Sequence, residues 1–217
     1  MSFDFGTHRR LNCSSMDISF SLSWIFLGLF LVAMIYTMIV IREEKASYKD
    51  NARAKDFGPY VFPVPSWWSC TTETESLLVF ERTDTRYDWK AQIFWLTESL
   101  PSLSIEERFI EILKQKHLEF DEINSVIHEP ESFKQHPLVQ SGRWDICRVE
   151  GTATLSQVER VYYDAFLIRD LVLDKYLYCE SKSSVLNGLV EGPYFEEMMS
   201  LVELSSSAEK IDESVSP

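Results

Sequence analysis

Glycine is scarce, at 7 of 217 residues. No G-x-x-x-x-G-K-[ST], G-x-G-x-x-G or G-x-S-x-G pattern occurs, which removes phosphate-cradling loops and the nucleophile elbow from consideration. Cysteine is scarce too. Among Cys13, Cys70, Cys147 and Cys179 no two have C-x-x-C spacing, so no finger-type zinc framework is indicated. At most one disulfide fits the later part of the chain. Cys147 and Cys179 both fall in predicted strands, where they either face one another or remain buried thiols. Beyond residue 55 the histidines are His117, His128 and His136, and no H-E-x-x-H pattern is present. The reading therefore assigns no metal and no cofactor, and no histidine is paired with Cys147 or Cys179 as base and nucleophile.

Positive charge is the other shortage. The chain carries 21 Lys and Arg against 34 Asp and Glu, a formal net charge of −13. From Asp56 onward the balance is steeper, 14 against 29. Such a domain repels phosphate backbones, so nucleic acid is excluded as a partner.

What the sequence has in abundance is one apolar run. No charged residue stands between Asp17 and Arg42, and residues 18–41 form a predicted helix that is apolar on every face. At about 1.5 Å per residue this run is long enough to cross a hydrocarbon core of about 30 Å. It is read as a transmembrane helix in contact with the bilayer through Phe20, Trp24, Leu27, Phe30, Ile35 and Ile41. The run exceeds the usual apolar region of a signal peptide and meets Arg42-Glu43-Glu44-Lys45 directly, so it is expected to be retained. Arg9 and Arg10 precede it, while Arg42, Lys45, Lys49, Arg53 and Lys55 follow. This count places the C-terminal domain in the cytoplasm, with a periplasmic or luminal placement as the alternative.

Around the span the reading assigns a tail at 1–17, a juxtamembrane linker at 42–56, a soluble domain at 57–204 and a disordered acidic tail at 205–217. Gly58-Pro59, Pro63 and Pro65 predict an extended lead-in. Leu77 to Arg82 and Trp89 to Leu96 predict two antiparallel strands joined by a turn over Thr83-Asp84-Thr85-Arg86. Ser104-Ile105-Glu106-Glu107 has capping-box spacing, and Ile105, Phe109, Ile112, Leu113 and Leu118 continue at near-helical spacing. Residues 121–141 predict a meandering connection with one short strand. Strands are expected at Trp144 to Ala153, Val161 to Ile168 and Tyr176 to Cys179, with a hairpin connection through Leu171-Val172-Leu173. Gly192-Pro193 predicts the start of a last helix, which buries Phe195, Met198, Met199, Leu201 and Val202 and holds Glu196 and Glu197 near its N-terminal end. The fold class is α+β, an antiparallel sheet packed against helices and preceded by one transmembrane helix.

Phe62-Pro63-Val64-Pro65-Ser66-Trp67-Trp68, the strand pair from Leu77 to Leu96, and Tyr176-Leu177-Tyr178-Cys179 leading to Pro193-Tyr194-Phe195 resemble the Mog1/PsbP-like group of α/β sandwiches. The resemblance covers most of residues 60–204. It implies a binding or assembly factor rather than an enzyme, and it transfers no catalytic residue.

The expected function is thus a single-pass, membrane-anchored, non-enzymatic factor that binds a protein partner. A membrane-tethered hydrolase and a ligand-sensing domain are the alternatives. Trp67 and Trp68, adjacent aromatics close to the linker, are the candidate partner contacts if exposed and core residues if not.

Overall fold

A computed structural model of the chain describes residues 14–82, 88–96, 103–121 and 126–206, and within the first stretch the side chains of 14–23, 41 and 45 are outside the description. Of the predicted tail 1–17, residues 1–13 lie outside the described residues and residues 14–17 are helical; the turn at 83–86 and all of the predicted tail 205–217 beyond 206 also lie outside. The chain divides into two compact units, Met1–Asp50 and Asn51–Pro217.

The first unit is dominated by helix α1, Ser14–Asn51. It is long and apolar enough to cross a membrane by length and composition. Its apolar side chains over residues 24–39 are exposed, with Trp24, Leu27, Phe30 and Ile35 each 46–63% accessible, so no face of that stretch is reserved for a protein core. The hydroxyl of Thr37 donates to the Ala33 carbonyl one turn back (2.9 Å), which satisfies a polar group without water. Phe20 and Ile41 lie on the helix, with side chains outside the description.

Helix α1 runs on through Arg42-Glu43-Glu44-Lys45, and a strand follows almost at once. Strand β1 (Arg53–Phe57) pairs antiparallel with β2 (Tyr60–Val64). The expected extended lead-in is therefore a hairpin. Gly58 supplies the positive φ of 58° that its two-residue turn requires.

Strands β3 (Ser69–Glu73), β4 (Leu77–Glu81) and β5 (Trp89–Leu96) come next. Then follow helix α2 (Ile105–Gln115), β6 (Leu118–Phe120), β7 (Val126–His128), a 3-10 turn at Glu131–Phe133 and the short helix α3 (Pro137–Gln140). The long strands β8 (Trp144–Leu155), β9 (Glu159–Asp170) and β10 (Lys175–Ser183) precede helix α4 (Val185–Ser200) and β11 (Glu203–Leu204). The sheet order is β3-β4-β5-β10-β9-β8-β6, with β7 also on β8; β1, β2 and β11 make a separate small sheet. Every pairing is antiparallel, and the fold is α+β.

Both faces of the large sheet are covered, which explains why β9 is buried along most of its length instead of alternating. Val161, Tyr163, Ala165 and Leu167 point to one core with Phe109, Ile112 and Leu113 of α2. Phe166 and Ile168 point to the other, shared with Phe195, Met198 and Met199 of α4 and with Tyr60 and Phe62 of the small sheet.

The capping box is realised: Glu107 N–H donates to Ser104 Oγ (3.2 Å) and Ser104 N–H to a Glu107 carboxylate oxygen (2.9 Å). Leu118 is not part of that helix. His117 takes φ 55°, which ends the helical path, and Leu118 begins β6.

One expectation is corrected, and one open alternative is decided. The last helix begins at Val185, eight residues before Pro193, so Glu196 and Glu197 lie in its second half rather than at its start. Proline is tolerated there because the carbonyl it leaves unpaired one turn back belongs to Leu189, which is 62% exposed. Gly192 has no Cβ to clash with the proline ring. Cys147 and Cys179 do not face each other. They lie in the cores on opposite faces of the sheet, with β9 between their strands, and both are free thiols.

Candidate functional site

The first half of α4 is inside out. Helices that cover a sheet normally bury their apolar residues and expose polar ones. Here Asn187, Gly188, Glu191 and Gly192 are buried, while Leu186, Leu189 and Val190 are 66%, 62% and 55% exposed.

Gly188 and Gly192, one turn apart, explain the close seat of the helix. A β-carbon at Gly188 would collide with the Tyr162 side chain, and one at Gly192 would lie 3.2 Å from Tyr162 Cε1. With the tyrosine ring under the glycines, the aliphatic residues on the other side are left facing outward.

Glu191 explains the polarity of the buried side. Its carboxylate accepts from the Trp68 indole (2.8 Å) and the Trp67 indole (3.3 Å) and pairs with the Arg82 guanidinium. A carboxylate this deeply buried needs such partners, since removing an unpaired charge from water costs several kcal/mol, on the order of magnitude. Trp68 lies in the core, its ring 4.1 Å from that of Trp89. Trp67 is half-buried, edge-on to Tyr194 at 4.9 Å. The tryptophan pair is thus tied to α4, and the larger exposed apolar surface is that of the helix.

A second charged cluster lies under the helix. Arg148 of β8 holds Asp164 of β9 with two 3.0 Å bonds, reaches Glu150 at 2.8 Å and meets Glu196 of α4 at 3.0 Å. Its guanidinium also lies 5.0 Å from the centre of the Phe166 ring. Complete burial pushes the Asp164 carboxyl up to about 7; Arg148 opposes that shift, and Glu150 and Glu196 add to it. The Tyr162 hydroxyl donates to Glu150, and burial raises its pKa far above the ordinary value. These groups bond one another across β8, β9 and α4, an arrangement that fixes the helix.

Of the residues weighed for catalysis, His128 and Cys147 stand opposite one another on β7 and β8, whereas His136 and Cys179 lie apart from them. His136 is buried, accepts from Leu138 N–H (3.2 Å) at the start of α3 and stacks on Trp144 at 4.9 Å; burial holds its pKa below the ordinary value. Burial is also the main cause that pushes the Cys147 thiol up to about 12 and the Cys179 thiol well above its usual range, which leaves neither as a thiolate nucleophile near neutrality. A cleft of about 570 Å³ is lined by Glu81, Lys90, Glu159 and Lys182 among others, but Lys90 pairs with Glu81 (3.2 Å) and Lys182 with Glu159 (3.5 Å).

Sequence reasoning passed over Leu186, Leu189 and Val190. Their i, i+3, i+4 spacing was the available signal. It was masked because Pro193 offers a more conspicuous helix start.

No protein-family model matches the chain, and no curated protein matches it in sequence. Among solved structures, it is similar to the PsbP protein of Synechocystis sp. PCC 6803 (CyanoP), at 12% identity and a TM-score of 0.45, covering 70% of this chain and 92% of that one. It is also similar to a mutant of the protein Mog1, at 11% identity and the same TM-score of 0.45, covering 72% of this chain and 98% of the other. These are members of the group that the sequence resembles.

Proposed function

We propose that the protein is a single-pass membrane-anchored binding or assembly factor, and that the exposed edge of α4 docks a protein partner beside the membrane. The inverted half of α4 carries this reading. Leu186, Leu189 and Val190 form one contiguous apolar strip on a helix held rigid from below, and rigid apolar anchors lose little entropy on binding. The occupant is a protein rather than the lipid surface, because the acidic domain repels anionic head groups. Its contact face is apolar with a basic rim, complementary to the charge of the domain.

Residues 18–41 anchor the chain, and the Lys and Arg count favours a cytoplasmic domain over a periplasmic or luminal one. Tethering raises the local concentration of a partner in the same membrane without any added contact. The role is binding rather than catalysis: the titratable side chains gathered near α4 are engaged with one another.

A photo-crosslinking residue at Leu189, installed in the full chain in native membranes, tests the reading. The expected result is one discrete protein adduct that disappears when Leu186→Asp is added, with no such adduct from the same probe at Val158, which is 87% exposed. Lipid adducts alone, or the same products from both positions, overturn it. Protease protection of a C-terminal tag in sealed vesicles of known orientation tests the side.

A further inference from the structure

On the opposite face from α4, three elements bring together side chains that the proposed docking edge does not involve. Glu106 stands in the first turn of α2, His128 on β7, and Cys147 directly across from His128 on β8. A carboxylate oxygen, an imidazole nitrogen and the thiol sulfur of these three lie within 4.8 Å of one another. Bonds from zinc to O, N and S ligands are about 2.0–2.3 Å, so donor atoms round a tetrahedral ion lie about 3.3–3.7 Å apart. Small side-chain rotations close that difference.

We infer that Glu106, His128 and Cys147 form a binding site for a divalent metal ion of the zinc class. The two nitrogens of His128 are already divided between two roles. Nδ1 faces the Glu106 carboxylate at 3.3 Å, and Nε2 lies 2.8 Å from Asp145 Oδ1. A metal-ligating histidine characteristically donates its other N–H to a carboxylate, which fixes the tautomer and the ring orientation. Asp145 is thus the positioning residue, and Nδ1 is the nitrogen free to bind metal. Arg169, opposite Asp145 on β9, turns its guanidinium to Asp174 (3.0 Å).

The donor set selects the ion. Thiolate and imidazole favour zinc-like cations over magnesium or calcium, which take oxygen donors. Cys147 is completely buried, whereas the side chains of Glu106 and His128 are 48% and 45% exposed, so an ion approaches from their side. Three protein ligands leave a fourth position of the tetrahedron for water. On binding, the Cys147 thiol gives its proton to solvent and the sulfur joins the metal as thiolate, with no change of oxidation state. An ion there would tie α2 to β7 and β8 independently of what binds α4.

The test is titration of the full chain in detergent with Co²⁺ and then Zn²⁺, in a Cys13→Ser, Cys70→Ser background. The expected result is one equivalent of cobalt with a thiolate-to-metal charge-transfer band, abolished by zinc. Cys147→Ser removes the band and Cys179→Ser leaves it. His128→Gln and Glu106→Gln, at exposed side chains that leave folding intact, each weaken binding at least tenfold, and Asp145→Asn weakens it about 10–100-fold while keeping the band. Absence of the band, or affinity unchanged in His128→Gln, overturns the inference.

Discussion

Helices α2 and α4 cover opposite faces of one sheet and reach that position in opposite ways. Helix α2 buries Ile105, Phe109, Ile112 and Leu113, and Ser104 and Glu107 cap it. Its sequence alone says where it begins and which side faces inward. The first half of α4 buries a glutamate and two glycines and exposes its aliphatic residues. The comparison teaches that a helix held by hydrophobic burial is complete within the fold, whereas one held by buried polar bonds leaves its apolar side for something else.

Substitutions sharpen that contrast. Phe109→Ala should have the largest effect, a loss of about 3–5 kcal/mol, because a fully buried ring leaves a cavity behind. Urea unfolding of the detergent-solubilised chain, followed by tryptophan fluorescence, reads it. Glu191→Ala should cost about 2–3 kcal/mol, because it takes the acceptor from the Trp68 indole and one ion-pair partner from Arg82. The effect falls below that of a fully buried pair because Arg82 is 21% exposed. In an ordinary surface helix the same change would be nearly neutral, so a value below about 0.5 kcal/mol breaks the comparison.

Gly188→Ala gives a difference of sign. Helix propensity alone predicts a gain of up to about 1 kcal/mol. The collision with Tyr162 predicts a loss of about 1–3 kcal/mol instead.

The charges beneath α4 add a pH dependence. Asp164 titrates near 7 in the folded chain against an ordinary value of 3.8. The folded state therefore holds more protons between those values, and this contribution to stability is full below about 3.8 and is lost as pH rises through about 7. Asp164→Asn should flatten that part of the stability profile. Arg148, Glu150, Glu196 and Tyr162 surround the group, so the full profile carries their coupling as well. The smallest effect belongs to Leu189→Ser, expected within about 0.5 kcal/mol of the parent in stability, although it removes an apolar residue from the proposed docking edge.

Much of the architecture was legible. The capping box, the β4–β5 pair and the three long strands β8, β9 and β10 were read from local signals, because caps and periodicity act within a few residues. The small sheet was less visible: β1 falls in a charged stretch that reads as linker, and β11 is only two residues long. The burial of Trp68 was left open by the sequence, since its indole meets a carboxylate 123 residues away.

By itself the sequence determined the long apolar helix, the acidity of the domain and the α+β character, since these follow from composition and short-range periodicity. Only the tertiary structure decided which side of α4 faces out, that Cys147 and Cys179 lie on opposite faces, and that Glu106, His128 and Cys147 converge. Sheet register and helix seating set these outcomes, and both depend on pairings between residues that no local pattern links.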